Sequence, residues 1–141
     1  MADRKFQMRC NCRYEGSDNA PVANRTEILT AEGWTPFELG PQVPGFLMFV
    51  YAILNCQHLY MRTNAAERGF VLSSASGTID VLTAEDWRMK RLHIRFEGQL
   101  ASGAPSSDDI AYIVERMRHC PASVNLLEPP DTQTELRLAG C

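Results

Sequence analysis

Two kinds of hydrophobic pattern follow one another along the chain and predict its elements. In residues 6–14 every second residue is apolar, the two-residue period of a strand with one buried face. Residues 15–21, EGSDNAP, contain the glycine, asparagine and proline typical of a turn. Residues 22–31 are then predicted to return as the second strand of a hairpin.

The longest apolar run, FLMFVYAIL, occupies residues 46–54 and belongs to a predicted helix over residues 44–68. The first half of this helix is apolar on every side, as in a fully buried helix, whereas its second half is polar. Pro44 is compatible with the first turn of this helix, and Gly69 is expected to end it. Residues 33–45, GWTPFELGPQVPG, are rich in proline and glycine and are predicted to be a loop.

The C-terminal half contains two further strands, a second helix and a last strand. The strands are predicted at residues 71–82 and 88–100, and one face of the second strand is expected to be exposed to solvent. Ser106 or Ser107 is expected to cap the helix, whose apolar residues recur at helical spacing. Cys120 continues that apolar row and should face the core, and Pro121 breaks the helix. A short turn over residues 122–127 and a strand over residues 132–138 complete the order β-β-α-β-β-α-β, which predicts an α+β fold.

Composition restricts the possible partners. The chain has 141 residues and a net charge of -3, and it is expected to form a single domain over residues 1–141. Without a basic stripe it is a poor candidate for binding nucleic acid. No apolar run approaches the ~18 residues that a membrane span needs, and the N-terminal residues lack the apolar core of a signal peptide. A cytoplasmic protein with no nucleic-acid or membrane partner is therefore expected.

The cysteines are the candidate reactive residues of the chain. The chain has five of them, at positions 10, 12, 56, 120 and 141, and this odd number argues against a disulfide framework. Cys10 and Cys12 form a C-x-C pair, but no second pair of ligands stands at zinc spacing, so both are predicted to pack in the core. No metal or other cofactor is predicted. Cys141 is expected to be exposed.

Several segments together resemble the OsmC/Ohr family of thiol-dependent hydroperoxide reductases. They are TPFELG before the long helix, the helix itself with Cys56 (FLMFVYAILNCQHLYM), its ending AAERGF, and the second helix running into HCPAS, which contains Cys120. The resemblance covers about residues 34–127 and rests on the order and spacing of these segments. It implies an OsmC-like fold and an intertwined homodimer, with the long helices at its centre and an active site at each end of the interface.

The resemblance also implies roles for individual residues. Cys56 would attack an organic hydroperoxide and become a sulfenic acid, and Cys120 would resolve it as a Cys56–Cys120 disulfide. A dithiol, typically a dihydrolipoyl group on a partner protein, would then reduce that disulfide. The family activates its thiol with an arginine of the N-terminal hairpin region, for which this chain offers Arg25, which we favour, or Arg13. The family's glutamate near the start of the long helix has no counterpart here, since Gly45 and Phe46 occupy that region.

Three other interpretations stay open. The chain is alternatively a non-catalytic protein of the same fold that binds a small apolar ligand at the dimer interface, lined by Phe46, Phe49 and Tyr60. A second alternative is a thiol redox sensor. The third is that Cys56 is simply a small core residue, which is the common role of buried cysteine. His58 should point about 200° away from Cys56 around the helix and so make a poor base for it.

Overall fold

The computed structural model describes residues 2–126 and 129–140. Its elements are β1 (Arg4–Glu15), β2 (Ala20–Thr30), β3 (Gly33–Pro36), α1 (Gly45–Glu67), β4 (Val71–Thr83), β5 (Met89–Ser102), α2 (Ser107–Arg118), a 3₁₀ turn (Ser123–Asn125) and β6 (Asp131–Ala139). The predicted α+β class and the order of elements are confirmed, with β3 as an addition. Leu127, the end of the predicted turn, and Cys141 lie outside the described residues.

The strands form one six-stranded sheet in the order β3-β2-β1-β4-β5-β6. Neighbouring strands are antiparallel except β5 and β6, which are parallel. Parallel neighbours require a crossover connection, and α2 provides it between β5 and β6. The residues of β1, β4 and β5 that point toward the helices are buried and form the core, among them Met8, Ile79, Ile94 and Phe96, each at most 1% exposed.

The predicted loop before α1 contains a short strand, so that part of the loop prediction is wrong. Gly33, with φ at +100°, turns the chain back after β2, a conformation that favours glycine. Residues 33–36 then pair antiparallel with β2, with Trp34 opposite Leu29. This strand lies at the sheet edge, where Pro36 is tolerated because its missing N–H faces no partner strand.

Helix α1 has nearly the predicted ends but not the predicted burial. Gly69, with φ at +84°, follows the helix end as expected. Val50 and Ile53 are fully buried, whereas Phe49 is 39% and Leu59 41% exposed. The prediction that the first half is buried on every side is therefore wrong for a single chain, because the sheet and α2 cover only part of the helix circumference.

Helix α2 follows the sequence prediction closely. Ser106 is the N-cap: its hydroxyl accepts the Asp109 N–H over 3.1 Å, and the Asp109 carboxylate accepts the Ser106 N–H over 2.9 Å. This is a capping box, in which two helix-end donors are satisfied reciprocally. Ile113 and Met117 are fully buried, and so is Cys120, which confirms that the apolar row faces the core.

Within residues 2–126 and 129–140, neither helix combines the length and the apolar content that crossing a bilayer requires.

Candidate active site

The fold brings Cys56 and Cys120 together. Cys56 lies on α1, where it is partly exposed, and Cys120 follows the end of α2, where it is fully buried. Both are free thiols, and they lie close enough together for the Cys120 thiol to raise the pKa of Cys56. The Cys56 sulfur is therefore accessible to a solute, whereas the Cys120 sulfur is buried next to it. An attacking thiol and a resolving thiol require this arrangement.

Hydrogen bonds hold the buried sulfur in place. The Cys120 thiol donates to the Ser123 hydroxyl over 3.1 Å and accepts the Ser123 backbone N–H over 3.4 Å. The same hydroxyl accepts a hydrogen bond from Gln57, the residue after Cys56, over 3.2 Å. Thr134 of β6 donates to the other end of the Gln57 amide over 3.4 Å. A network thus joins α1, the turn after α2 and β6 around the sulfur pair.

Two residues of this network, Gln57 and Ser123, are not among the site residues predicted from the sequence. Gln57 is 3% exposed, and it is a polar residue next to the apolar run that contains Cys56. A buried amide has to find hydrogen-bond partners, so its position was a usable signal. Ser123 stands three residues after Cys120, a spacing at which a serine side chain commonly bonds local groups.

The environment of Cys56 disfavours its thiolate. Burial is the largest effect and raises the pKa of Cys56, and the Cys120 thiol raises it further through a hydrogen bond and its charge. The backbone N–H of Ala122 opposes them, because it donates to the sulfur and lowers the pKa. The net pKa is raised, and no cation is among the described groups that shift it. Since the thiolate is the reactive form, Cys56 of a single chain is a slow nucleophile at neutral pH.

The structure does not bring Arg25 or Arg13 to Cys56 within one chain. Arg25 lies opposite Asn11 on β1, on the sheet face that points away from both helices. Its side chain is 67% exposed and pairs with Glu27 over 3.1 Å. Arg13 and Arg25 line the same cleft on that outer face. The role of Arg25 in activating Cys56 therefore stays a prediction that requires a second chain.

The remaining predicted residues lie around α1. The ring of Phe46 packs against Phe6 and Trp87, at centroid distances of 5.0 and 5.3 Å. His58 points away from Cys56, as its helical position predicts, and its Nε2 lies 2.6 Å from the Tyr14 hydroxyl of the sheet. No group of three histidine, cysteine, aspartate or glutamate side chains in the described part of the chain is arranged to hold a metal ion.

No protein-family model matches this chain, and no curated protein sequence matches it. Solved structures do match. An OsmC-like hydroperoxide resistance protein from Jannaschia sp. CCS1 superposes with a TM-score of 0.57 at 15% identity, over 86% of this chain and 85% of that one. An OsmC-like protein from Mycoplasma pneumoniae superposes with a TM-score of 0.53 at 8% identity, over 92% and 94% of the two chains. The chain therefore has the OsmC-like fold, which confirms at the level of fold the resemblance found in its sequence.

Proposed function

We propose that this protein reduces organic hydroperoxides, with Cys56 as the attacking thiol and Cys120 as the resolving thiol. The observation that carries the proposal is the adjacency of a partly exposed cysteine on α1 and a buried one after α2. The similarity to a structure described as a hydroperoxide resistance protein supports the substrate class.

The reaction has two sulfur steps. The Cys56 thiolate attacks one peroxide oxygen, so that an S–O bond forms, the O–O bond breaks and the released alkoxide takes a proton to leave as an alcohol. The Cys120 thiol then attacks the Cys56 sulfenic acid, which forms the disulfide and releases water. The Ala122 N–H stabilises the thiolate before the first step, and Ser123 keeps the Cys120 sulfur beside Cys56 for the second.

The exposed side of α1 supports a homodimer. Phe49, Ala52, Cys56 and Leu59 follow one another at spacings of three and four residues and so share one side of the helix. Phe49 and Leu59 are each about two-fifths exposed, and an apolar helix side of this kind is a typical contact surface. Burying it against a second chain would surround Cys56 with apolar groups, which favour organic hydroperoxides over hydrogen peroxide.

A second chain would also supply the positive charge that Cys56 lacks within its own chain. Arg25 carries a mostly exposed guanidinium on the outer face of the sheet, away from its own Cys56. We infer that Arg25 acts on the Cys56 of the other copy and offsets the desolvation that raises the pKa of this thiol. The disulfide then needs a dithiol reductant, such as a dihydrolipoyl group on a partner protein, in the reducing environment of a cytoplasm.

The proposal is tested by hydroperoxide consumption. Purified protein is mixed with cumene hydroperoxide and excess dihydrolipoamide, and the peroxide that remains is measured with time. We expect catalytic loss with the wild type, the background rate with Cys56→Ser, and retained turnover with Cys10→Ser as the matched cysteine control. Equal rates for wild type and Cys56→Ser across several organic hydroperoxides would overturn the proposal.

One observation favours a second candidate. The raised pKa of Cys56 and the absence of a cation among its described neighbours are typical of an unreactive thiol. On this alternative the protein is a non-catalytic member of the fold, and a small apolar ligand binds against the exposed side of α1. Background-level peroxide consumption, together with saturable binding of an apolar fluorescent probe, would favour it.

A further inference from the structure

A cavity of about 350 Å³ lies between β2 and α1. This volume is near the lower end of the range of small-molecule sites. Its wall combines apolar side chains, among them Val22 and Leu59, with the polar side chains of Asn24, Asn55, His58 and Arg62. Neither Cys56 nor Cys120 is among the described residues of this wall, so the cavity is separate from the candidate active site.

A buried turn residue holds the two walls of the cavity together. Asn19, between β1 and β2, is fully buried and has φ at +54°, a conformation in which asparagine is enriched. Its Nδ2 donates to the carbonyl oxygens of Arg62 and Phe70, each over 3.0 Å, and its Oδ1 accepts the Leu72 N–H over 2.8 Å. Because the start of β2 is thereby fixed against the C-terminal half of α1, the cavity is preformed.

The guanidinium of Arg62 brings an unpaired positive charge to this cavity. Its side chain is half-buried, and no acidic residue in the described part of the chain forms an ion pair with it. No described aspartate or glutamate lines the cavity either. A charge that is partly removed from water is costly unless it is paired. A bound anion would supply the partner that the chain itself does not provide.

Two side-chain amides add hydrogen-bond donors to the same wall. Cys10 and Cys12 are buried, as predicted, and the Cys12 thiol donates to Asn24 Oδ1 over 3.0 Å. This bond orients the Asn24 amide and leaves its NH₂ group without a partner among the described residues. The Asn55 amide likewise makes no hydrogen bond within residues 2–126 and 129–140, so its NH₂ group is available as a donor.

The imidazole of His58 is a further donor, and it is held rigidly. The residue is 6% exposed, and its ring is stacked on Phe96 with centroids 5.6 Å apart and planes 12° apart. Its Nε2 lies 2.6 Å from the Tyr14 hydroxyl, and burial raises the pKa of Tyr14, so the hydroxyl keeps its proton and can donate to Nε2. In a neutral imidazole that accepts at Nε2, the ring proton lies on Nδ1. No described residue forms a hydrogen bond with Nδ1, and the ring is part of the cavity wall.

We propose that this cavity binds a small carboxylate with a short apolar chain. The carboxylate would pair with Arg62 and accept hydrogen bonds from Asn24 and His58, while the apolar chain would pack against Val22 and Leu59. The apolar part of the wall disfavours inorganic phosphate, which would leave it without a contact. A neutral apolar molecule would leave the guanidinium unpaired.

Nuclear magnetic resonance of the wild type locates the ligand. Protein labelled with ¹⁵N is titrated with hexanoate, and separately with hexanol as a neutral molecule of the same chain length. We expect saturable shifts of the Asn24 and Asn55 side-chain NH₂ signals with hexanoate, and His58 ring signals of the form protonated at Nδ1. Hexanol should bind about tenfold more weakly or worse, because it lacks the charge that Arg62 recognises.

Calorimetric titration of variants tests the role of the charge. Arg62→Gln should weaken hexanoate binding by about tenfold or more, with its fold checked by circular dichroism. Arg137→Gln is the matched control, since it removes the same charge from the outer face of the sheet, beside Arg25, and should keep the wild-type affinity. Cys56→Ser should also bind hexanoate as the wild type does, so the result does not depend on peroxide reduction.

Several outcomes would overturn the proposal. They are the absence of saturable hexanoate binding, equal affinity for hexanol, and unchanged affinity in Arg62→Gln. Shifts confined to the outer face of the sheet, around Arg13 and Arg25, would place the anion there instead. Loss of binding in Cys56→Ser would place it at the candidate active site.

Discussion

The Gln57 amide donates to the Ser123 hydroxyl over 3.2 Å, and that hydroxyl also accepts the Cys120 S–H over 3.1 Å. The residue next to Cys56 is thereby tied to the turn that carries Cys120. These bonds hold the two cysteine-bearing segments together, as the proposed Cys56–Cys120 disulfide would require.

Replacing the resolving thiol should separate the two sulfur steps. We expect Cys120→Ala to consume one peroxide per chain and then stop as a Cys56 sulfenic acid. The change also removes a hydrogen bond and a charge that raise the pKa of Cys56, so this thiol should ionise at lower pH than in the wild type. The attack of Cys56 on peroxide should be faster at neutral pH, by up to about tenfold for each unit by which the pKa of Cys56 falls.

Stopped-flow mixing over a pH series measures this change. In the wild type the rate of the first step should rise with pH, because the pKa of Cys56 is raised and more thiolate forms as pH increases. Val124→Ala, at an exposed position on the turn after Cys120, is the control. Sustained turnover by Cys120→Ala with the same reductant would show that Cys120 is not the resolving thiol.

The two candidate arginines can be distinguished by mutation. Arg25→Ala should raise the pKa of Cys56 by about one unit and slow peroxide reduction at neutral pH roughly tenfold, if Arg25 of a second copy lies beside the sulfur. Arg13→Ala removes the same charge from the same sheet face and should leave the rate unchanged. Rates are compared by peroxide consumption under identical conditions. An unchanged rate with Arg25→Ala, or a loss with Arg13→Ala alone, contradicts the assignment.

The exposed side of α1 predicts the oligomeric state. Leu59→Asp places a charge on the apolar side that we expect a second chain to cover, and it should shift a dimer toward monomer. Ser73→Asp, exposed on β4, is the control and should stay dimeric. Sedimentation equilibrium measures both. A wild type that is monomeric over the whole accessible concentration range is incompatible with a dimer through α1.

Gly77 of β4 makes room for the ring of Phe96, which stacks on the ring of His58. A Cβ at Gly77 would lie 2.4 Å from Phe96 Cε1, and Phe96 is fully buried. Gly77→Ala should therefore lower the free energy of unfolding by about 1–3 kcal/mol. Gly45→Ala, at the first residue of α1 with nothing within 4 Å of the added carbon, should be neutral or slightly stabilising. Urea denaturation compares them, and equal stability of the two variants would show that the sheet accommodates the methyl group.

Most of the fold could be predicted from local patterns. The two-residue period gave β1, and helical spacing gave the buried row of α2 that ends at Cys120. Strand β3 was missed because glycine and proline indicate a turn. They do not indicate whether the residues after the turn pair with the preceding strand. The exposed side of α1 was missed because an apolar helix surface looks the same whether its own chain or a second chain covers it.

The site was only partly predictable, for a different reason. The prediction that Cys56 acts together with Cys120 came from family resemblance, and not from spacing alone. The position of Arg25 depends on the register of the hairpin, and a shift of one residue would move its side chain to the other face. That register includes an irregularity between Arg13 and Tyr14. The contact between His58 and Tyr14 joins elements 44 residues apart in the sequence, and no local pattern reports it.

Disulfide mapping after oxidation tests the central claim most directly. The reduced wild type is treated with one equivalent of cumene hydroperoxide, alkylated, digested and analysed by mass spectrometry. The account predicts a Cys56–Cys120 disulfide as the main product, and no such product in Cys56→Ser. A wild type in which both sulfurs stay reduced, or in which oxidised Cys56 is never joined to Cys120, would contradict it.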